Sequence, residues 1–295
     1  MSPKIRLSVL AVAVLSAAIA ACASPLGGLH STSFAPDGVR LASVMASQPS
    51  DVQLRYPQRH PRETLEFFGL APGMTVVEVL PGGSWYSKLL VPYLGSEGTL
   101  VGANYALEMA AMFSFMTPER LEKRKTWASE WPQQAAGFGD ASVRAFVLGG
   151  MPNDLVGRAD AVLMIRALHN LNRFEAKGGF LTSALTEVYR ALKPGGILGV
   201  VQHRASEGAS DAWADGSAGY LKQSFVIARL EAAGFEFVAE SGINANPLDR
   251  PTADDVVWRL PPVLMTSRDD PALRAKLQAV GESNRMTLKF RKPLR

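Results

Sequence analysis

The sequence predicts an α/β fold, a mostly parallel sheet of seven strands with helices on both faces. Three observations carry this expectation. Short runs rich in β-branched and apolar residues recur between Thr75 and Arg291. They read as continuously apolar rather than alternating, as strands buried on both faces do. Most are separated by stretches with helical patterning, the crossover that a parallel pair requires.

The elements follow in order. Arg62 to Leu70 has the mixed apolar pattern of a short amphipathic helix, with Pro61 tolerated in its first turn and Ala71-Pro72-Gly73 breaking it. Thr75 to Leu80 is the first strand, Trp85 to Leu94 a helix, and Thr99 to Asn104 the second strand. Leu107 to Trp131 reads as mainly helical. Ser142 to Leu148 and Ala159 to Leu168 give the third and fourth strands. A long helix from Phe174 to Leu192 stops at Lys193-Pro194-Gly195-Gly196. Ile197 to His203 is the fifth strand, and Ser224 to Ala233 a helix closed by Gly234. Phe235 to Ser241 and Met286 to Arg291 are the sixth and seventh strands. Gly242 to Arg285, between those two, has Asn, Pro and Asp clusters and one helical stretch, Pro271 to Val280, so an antiparallel final strand is expected.

The N-terminus reads differently. Lys4 and Arg6 precede an apolar run from Leu7 to Ala21, a signal-peptide pattern. As a helix that run rises about 22 Å, short of the roughly 30 Å hydrocarbon core. Residues 1–21 are therefore expected to be a removed export signal. Ile19-Ala20-Ala21-Cys22 resembles a bacterial lipobox, which implies lipidation of Cys22 and a periplasmic lipoprotein anchored to a bacterial membrane. The alternative is ordinary cleavage with Cys22 incidental. Cys22 is the single cysteine, so no disulfide within the chain and no cysteine metal site can form. Residues 22–58, rich in Ser, Pro and Gly, read as a lipidated tether with a short helix near Leu41 to Ala46, followed by one domain over 59–295.

The formal net charge is +4, and loss of the leader takes away Lys4 and Arg6 and no acid. The densest basic stretch, Glu119 to Lys125, is mixed in sign and reads as a solvated helix face, so no nucleic-acid partner is expected.

Several motifs in order resemble the class I S-adenosylmethionine-dependent methyltransferases, from about Arg59 to Pro293. Leu70 to Glu78 is similar to that family's entry into its first strand, and Leu192 to Gly196 to the turn before its fifth. Leu230-Glu231-Ala232-Ala233-Gly234-Phe235 is similar to the following helix-to-strand turn. The insert, with Glu282-Ser283-Asn284-Arg285-Met286, resembles an exported predicted-methyltransferase subgroup. The resemblance implies a Rossmann-like sheet of order 3-2-1-4-5-7-6 with the last strand antiparallel. It also implies S-adenosylmethionine as cofactor, bound across the carboxyl ends of the strands, and a small-molecule methyl acceptor.

By that resemblance Glu78 organises the glycine-rich turn, and Gly82 and Gly83 lie against the cofactor. Leu80 and Ser84 stand where the family has glycine. Asn104 occupies the place of an acid that binds the ribose hydroxyls, an amide where a carboxylate would bond more strongly. Gly149 falls where adenine packs; Met151 beside it reads either as an adenine contact or as core.

His169 follows the fourth strand and His203 ends the fifth, so both imidazoles are expected to face one cleft as catalytic residues, with Asn170 and Arg204 as substrate contacts. A histidine suits deprotonation of an acceptor, and a structural role for each remains the alternative. No His-x-x-x-His spacing supports a metal, and no Gly-x-Ser-x-Gly elbow supports a hydrolase. An NAD-dependent oxidoreductase would want a fuller Gly-x-Gly-x-x-Gly. The rival reading is a non-catalytic exported binding protein that retains the fold.

Overall fold

A computed structural model describes residues 34–295. The leader and Cys22 lie outside the described residues. Among the described residues no helix is long and apolar enough to cross a membrane.

The strands are β1 (Thr75–Val79), β2 (Thr99–Asn104), β3 (Ser142–Val147), β4 (Ala159–Ile165), β5 (Leu192–Ala205), β6 (Leu221–Lys222), β7 (Glu236–Ser241) and β8 (Arg285–Arg291). They form one sheet in the order β3-β2-β1-β4-β5-β8-β7, with β6 beside β5. β8 runs antiparallel to β5 and β7, whereas β1 to β5 pair in parallel. Apart from β6, too short to leave a pattern in the sequence, this is the order that the resemblance implies.

Strand alternation divides the core in two. Val76, Leu100, Leu163 and Val201 face one apolar cluster, with Leu65, Phe68, Leu89 and Leu90 from helices Pro61–Phe68 and Ser87–Leu94. Val77, Val101, Val162 and Val200 face the other, with Leu181, Leu185 and Val188 from helix Phe180–Ala191 and Leu230 from helix Gln223–Ala232. Each such side chain contributes about 1.5–3 kcal/mol on full burial. Helices therefore cover both faces, leaving the strand ends for a site.

Four expectations need correction. The helix expected over Leu107 to Trp131 is three, Leu107–Ala110, Pro118–Lys125 and Trp127–Ala136, the second begun by a Thr117 cap and Pro118. The long helix before β5 is likewise divided, and Gly179, at φ 63°, separates Glu175–Gly178 from Phe180–Ala191. Lys193 to Gly196 loops out between Ala159–Leu192 and Ala161–Ile197 pairings within β5 instead of preceding the strand.

Residues 34–58 differ most from the tether read there. Asp37 caps a helix, Gly38–Ala46, that buries Leu41 and Val44. Tyr93 Oη accepts from Asp37 N–H at 3.0 Å and donates to Leu70 C=O at 2.9 Å. Two further short helices, Ser50–Gln53 and Tyr56–Arg59, bring Arg55 and Arg59 to Glu282. The short helix expected near Leu41 to Ala46 is present, but its apolar pair packs into the domain core, so this stretch belongs to the domain and not to a tether.

Candidate active site

The turn after β1 is degenerate in sequence but keeps a consistent backbone. Leu80 N–H extends the ladder to Ala103 C=O at 2.7 Å. Leu80, Gly82 and Ser84 then have φ of 59°, 56° and 58°. These are the three positions of the glycine-x-glycine-x-glycine pattern, and all are left-handed. That region is free for glycine and costs roughly 1–2 kcal/mol for other residues. One local and one tertiary bond hold it: Ser84 N–H donates to Pro81 C=O at 2.8 Å, and the Trp131 indole N–H donates to Ser84 Oγ at 2.9 Å.

Glu78 lies beneath this turn, 4% exposed, and accepts from Ser87 Oγ at 2.6 Å. Burial pushes its carboxyl up to about 7, against the Ser87 hydrogen bond and the charge of Arg166. It braces strand to helix and does not line the cleft.

The turn opens into a cavity of about 550 Å³, within the range of small-molecule sites. Gly82, Gly83 and Asn104 line one side, and His169, Asn170 and His203 the other. Gly83 faces open space, with nothing within 4 Å of where a Cβ would stand. The sequence reading missed Arg166 at the end of β4, the Trp85, Trp127 and Trp258 walls, and Glu282 with Ser283. Trp258 belongs to a segment, Val257 to Val263, that supplies much of one wall from the insert between β7 and β8.

The histidines meet as expected, their ring centroids 5.3 Å apart. His169 Nδ1 lies 3.2 Å from Gln202 Oε1, and Gln202 Nε2 donates to Gly219 C=O at 3.0 Å. That second bond fixes the amide, so Oε1 is the acceptor, Nδ1 carries the proton, and Nε2 is left as the acceptor of His169. Burial lowers His169 to about 4, assisted by Arg166 and Arg173 and opposed by the Gln202 bond. Burial, followed by His169 and nearby arginines, holds His203 well below its ordinary value. His203 Nδ1 is 2.5 Å from Ser283 Oγ. Both rings are therefore neutral near pH 7.

Two expected residues are not brought here. Arg204 follows His203 on β5, so strand alternation turns it away; it bonds Gln223 Oε1 at 3.3 Å and Asn284 Oδ1 at 3.1 Å and lines a separate groove. Gly149 is outside the cavity because Glu187 draws in its loop, accepting from Gly149 N–H at 2.8 Å and Met151 N–H at 3.1 Å. Met151 is packed into the core. Asn104 is in place, but its Oδ1 already accepts from Tyr105 N–H at 2.8 Å and Arg124 at 3.3 Å. Among the described residues no three His, Cys, Asp or Glu side chains gather as a metal site would require.

Below the histidines, Glu282 joins Arg55 and Arg59 at 2.9 Å and Arg285 at 3.1 Å. Burial alone would raise its carboxyl, yet Arg59 and Arg285 hold it below the ordinary value. The Arg59 guanidinium also lies 4.5 Å over the Trp85 ring. The N-terminal helices and the β8 entry are thus tied together under the cavity.

Neither the protein-family models nor the curated proteins contain a match to the sequence. Among solved structures, the [4+2]-cyclase SpnF is 16% identical over 89% of this chain and 98% of its own, with a TM-score of 0.50. A putative sarcosine dimethylglycine methyltransferase from Galdieria sulphuraria is 13% identical over 84% and 90%, with a TM-score of 0.49. The 1,6-didemethyltoxoflavin-N1-methyltransferase of Burkholderia thailandensis, solved with bound 1,6-didemethyltoxoflavin and S-adenosylhomocysteine, is 12% identical over 88% and 92%, at 0.42. At these identities the likeness concerns the fold, and folds carry many reactions. The chain has the Rossmann-like α/β fold that it shares with SpnF.

Proposed function

We propose that this chain is an S-adenosylmethionine-dependent methyltransferase acting on a small acceptor, exported and held at a bacterial membrane by a lipid on Cys22. The observation that carries the reading is the turn at Leu80 to Ser84. Its left-handed positions at Leu80, Gly82 and Ser84 shape a turn whose Leu80 to Gly83 line the cavity that also holds Asn104 and the histidine pair. Bound there, S-adenosylmethionine supplies an electrophilic methyl group. The bare backbone at Gly82 and Gly83 allows close approach, and the volume suits a ligand of that size. Asn104 fits the ribose less well than a carboxylate, since its Oδ1 is already bonded.

The chain's own contribution is then mainly orientation. His169 Nε2 accepts a hydrogen bond from the acceptor, with its ring fixed by Gln202, and His203 is steadied by Ser283. An imidazole lowered to about 4 is a weak base at neutral pH, so it aligns an acceptor better than it ionises one.

The second reading, a binding protein that retains the fold, draws on the same Asn104. Calorimetry of the purified protein with S-adenosylmethionine and S-adenosylhomocysteine separates the two. A Kd below about 100 μM, roughly −5.5 kcal/mol, supports the enzyme; no binding of either sinks it.

A further inference from the structure

The cavity has an unbalanced charge. Lys123, Arg124 and Arg166 line it, against one acid, Glu282. That acid is already engaged by Arg55, Arg59 and Arg285. No lining carboxylate is left to receive an ammonium. Arg166 differs from the other arginines around Glu282. It is partly buried and left-handed at φ 58°, its backbone N–H donates to Val201 C=O, and its side chain has no hydrogen-bond or ion-pair partner among the described residues. A guanidinium removed from bulk water without a partner is costly, and its planar fork matches a carboxylate or phosphate. It stands with the histidines on the β4–β5 side, across from the turn and Asn104. Asn170 Oδ1, on the same side, is a buried acceptor without a partner.

We propose that the acceptor is an anionic small molecule with a flat apolar body. Its carboxylate or phosphate pairs with Arg166, its body rests among Trp85, Trp127 and Trp258, and a hydrogen-bond donor on it reaches Asn170 Oδ1. This rests on the methyl-donor reading above and names the substrate class of the same site. An anion there also complements a cationic donor, whereas a cationic acceptor would meet Arg166 with like charge.

The test uses the full chain and four probes of similar shape: benzoate, phenyl phosphate, benzamide and benzylamine. Each is titrated by tryptophan fluorescence, with and without S-adenosylhomocysteine. Benzoate or phenyl phosphate is expected to bind at least roughly tenfold more tightly than benzamide and benzylamine, a difference of about 1.4 kcal/mol. The arm that binds more tightly assigns carboxylate or phosphate. Arg166→Gln is expected to abolish this preference and leave the affinity for S-adenosylhomocysteine intact. Benzylamine binding as well as benzoate, or no anion binding at millimolar concentration, overturns the proposal. So does an Arg166→Gln variant that loses S-adenosylhomocysteine but keeps benzoate, because Arg166 would then serve the donor's carboxylate. If that variant fails to fold, the comparison of probes on the unaltered protein still decides. Preferential anion binding without any S-adenosylhomocysteine binding would sink the donor reading and leave the anion site standing.

Discussion

His169 and His203 lie with ring centroids 5.3 Å apart, one just past β4 and the other in the adjacent parallel β5. Both are buried and neutral, with Arg166 close enough to oppose the protonation of either. A proton on this pair would add to the positive charge of Lys123, Arg124 and Arg166 in a site short of acids.

Acid should therefore weaken the fold through this pair. His169 is lowered from 6.5 to about 4, so its contribution is present above pH 6.5 and lost as pH falls toward 4. The full loss is about 3 kcal/mol for that ring. His169→Gln should flatten this acid limb in urea unfolding measured across the same window. An unchanged slope would contradict the burial assigned to the ring.

Glu78 should act in the opposite sense. Its carboxyl is raised from 4.5 to about 7, so its contribution is full below pH 4.5 and lost as pH rises through 7. Glu78→Gln keeps an acceptor for Ser87 and removes the ionisation. Relative to the unaltered protein it should gain stability between those values, by about 3 kcal/mol at the alkaline end. Chemical denaturation at several pH values checks this, and a difference that does not vary with pH would refute it.

Glu282 holds three guanidiniums that have no other carboxylate in contact among the described residues. Glu282→Ala should cost about 3–5 kcal/mol, as removal of one member of a buried pair does. Thermal unfolding reads this directly. A loss under about 1 kcal/mol, the range of exposed pairs, would mean the cluster is solvated.

Asn104 is the point at which donor affinity is expected to be weakest. Asn104→Asp adds charge and lone pairs for the ribose hydroxyls, even with Arg124 beside it. S-adenosylhomocysteine should bind roughly tenfold more tightly, read by calorimetry. Equal or weaker binding would argue that the ribose lies elsewhere.

Much of the fold was legible because buried parallel strands announce themselves as apolar runs between breakers. Thr99 to Asn104 and Pro271 to Val280 match their elements end for end. The helix near Leu41 to Ala46 was legible, whereas helices Ser50–Gln53 and Tyr56–Arg59 were missed because they are one turn each and bury little beyond Val52 and Arg59. At the site, the turn and the histidines were legible from their places after strands. Arg204 lies outside the cavity, because strand-end position does not reveal which face a residue takes and alternation sent it outward. Gly149 lies outside it because Glu187, far along the chain, binds its loop. Arg166 left no pattern beyond one basic residue after the apolar run ending at Ile165. The Trp258 wall lies in a segment without periodicity, so only the fold brings it to the histidines.

The crystal structure of the chain grown with S-adenosylhomocysteine tests the central claim most directly. Ligand density is expected over Gly82 and Gly83, with the ribose beside Asn104 and the sulfur directed toward His169 and His203. Density at another place, or a cavity that stays free of ligand at saturating concentration, would contradict it.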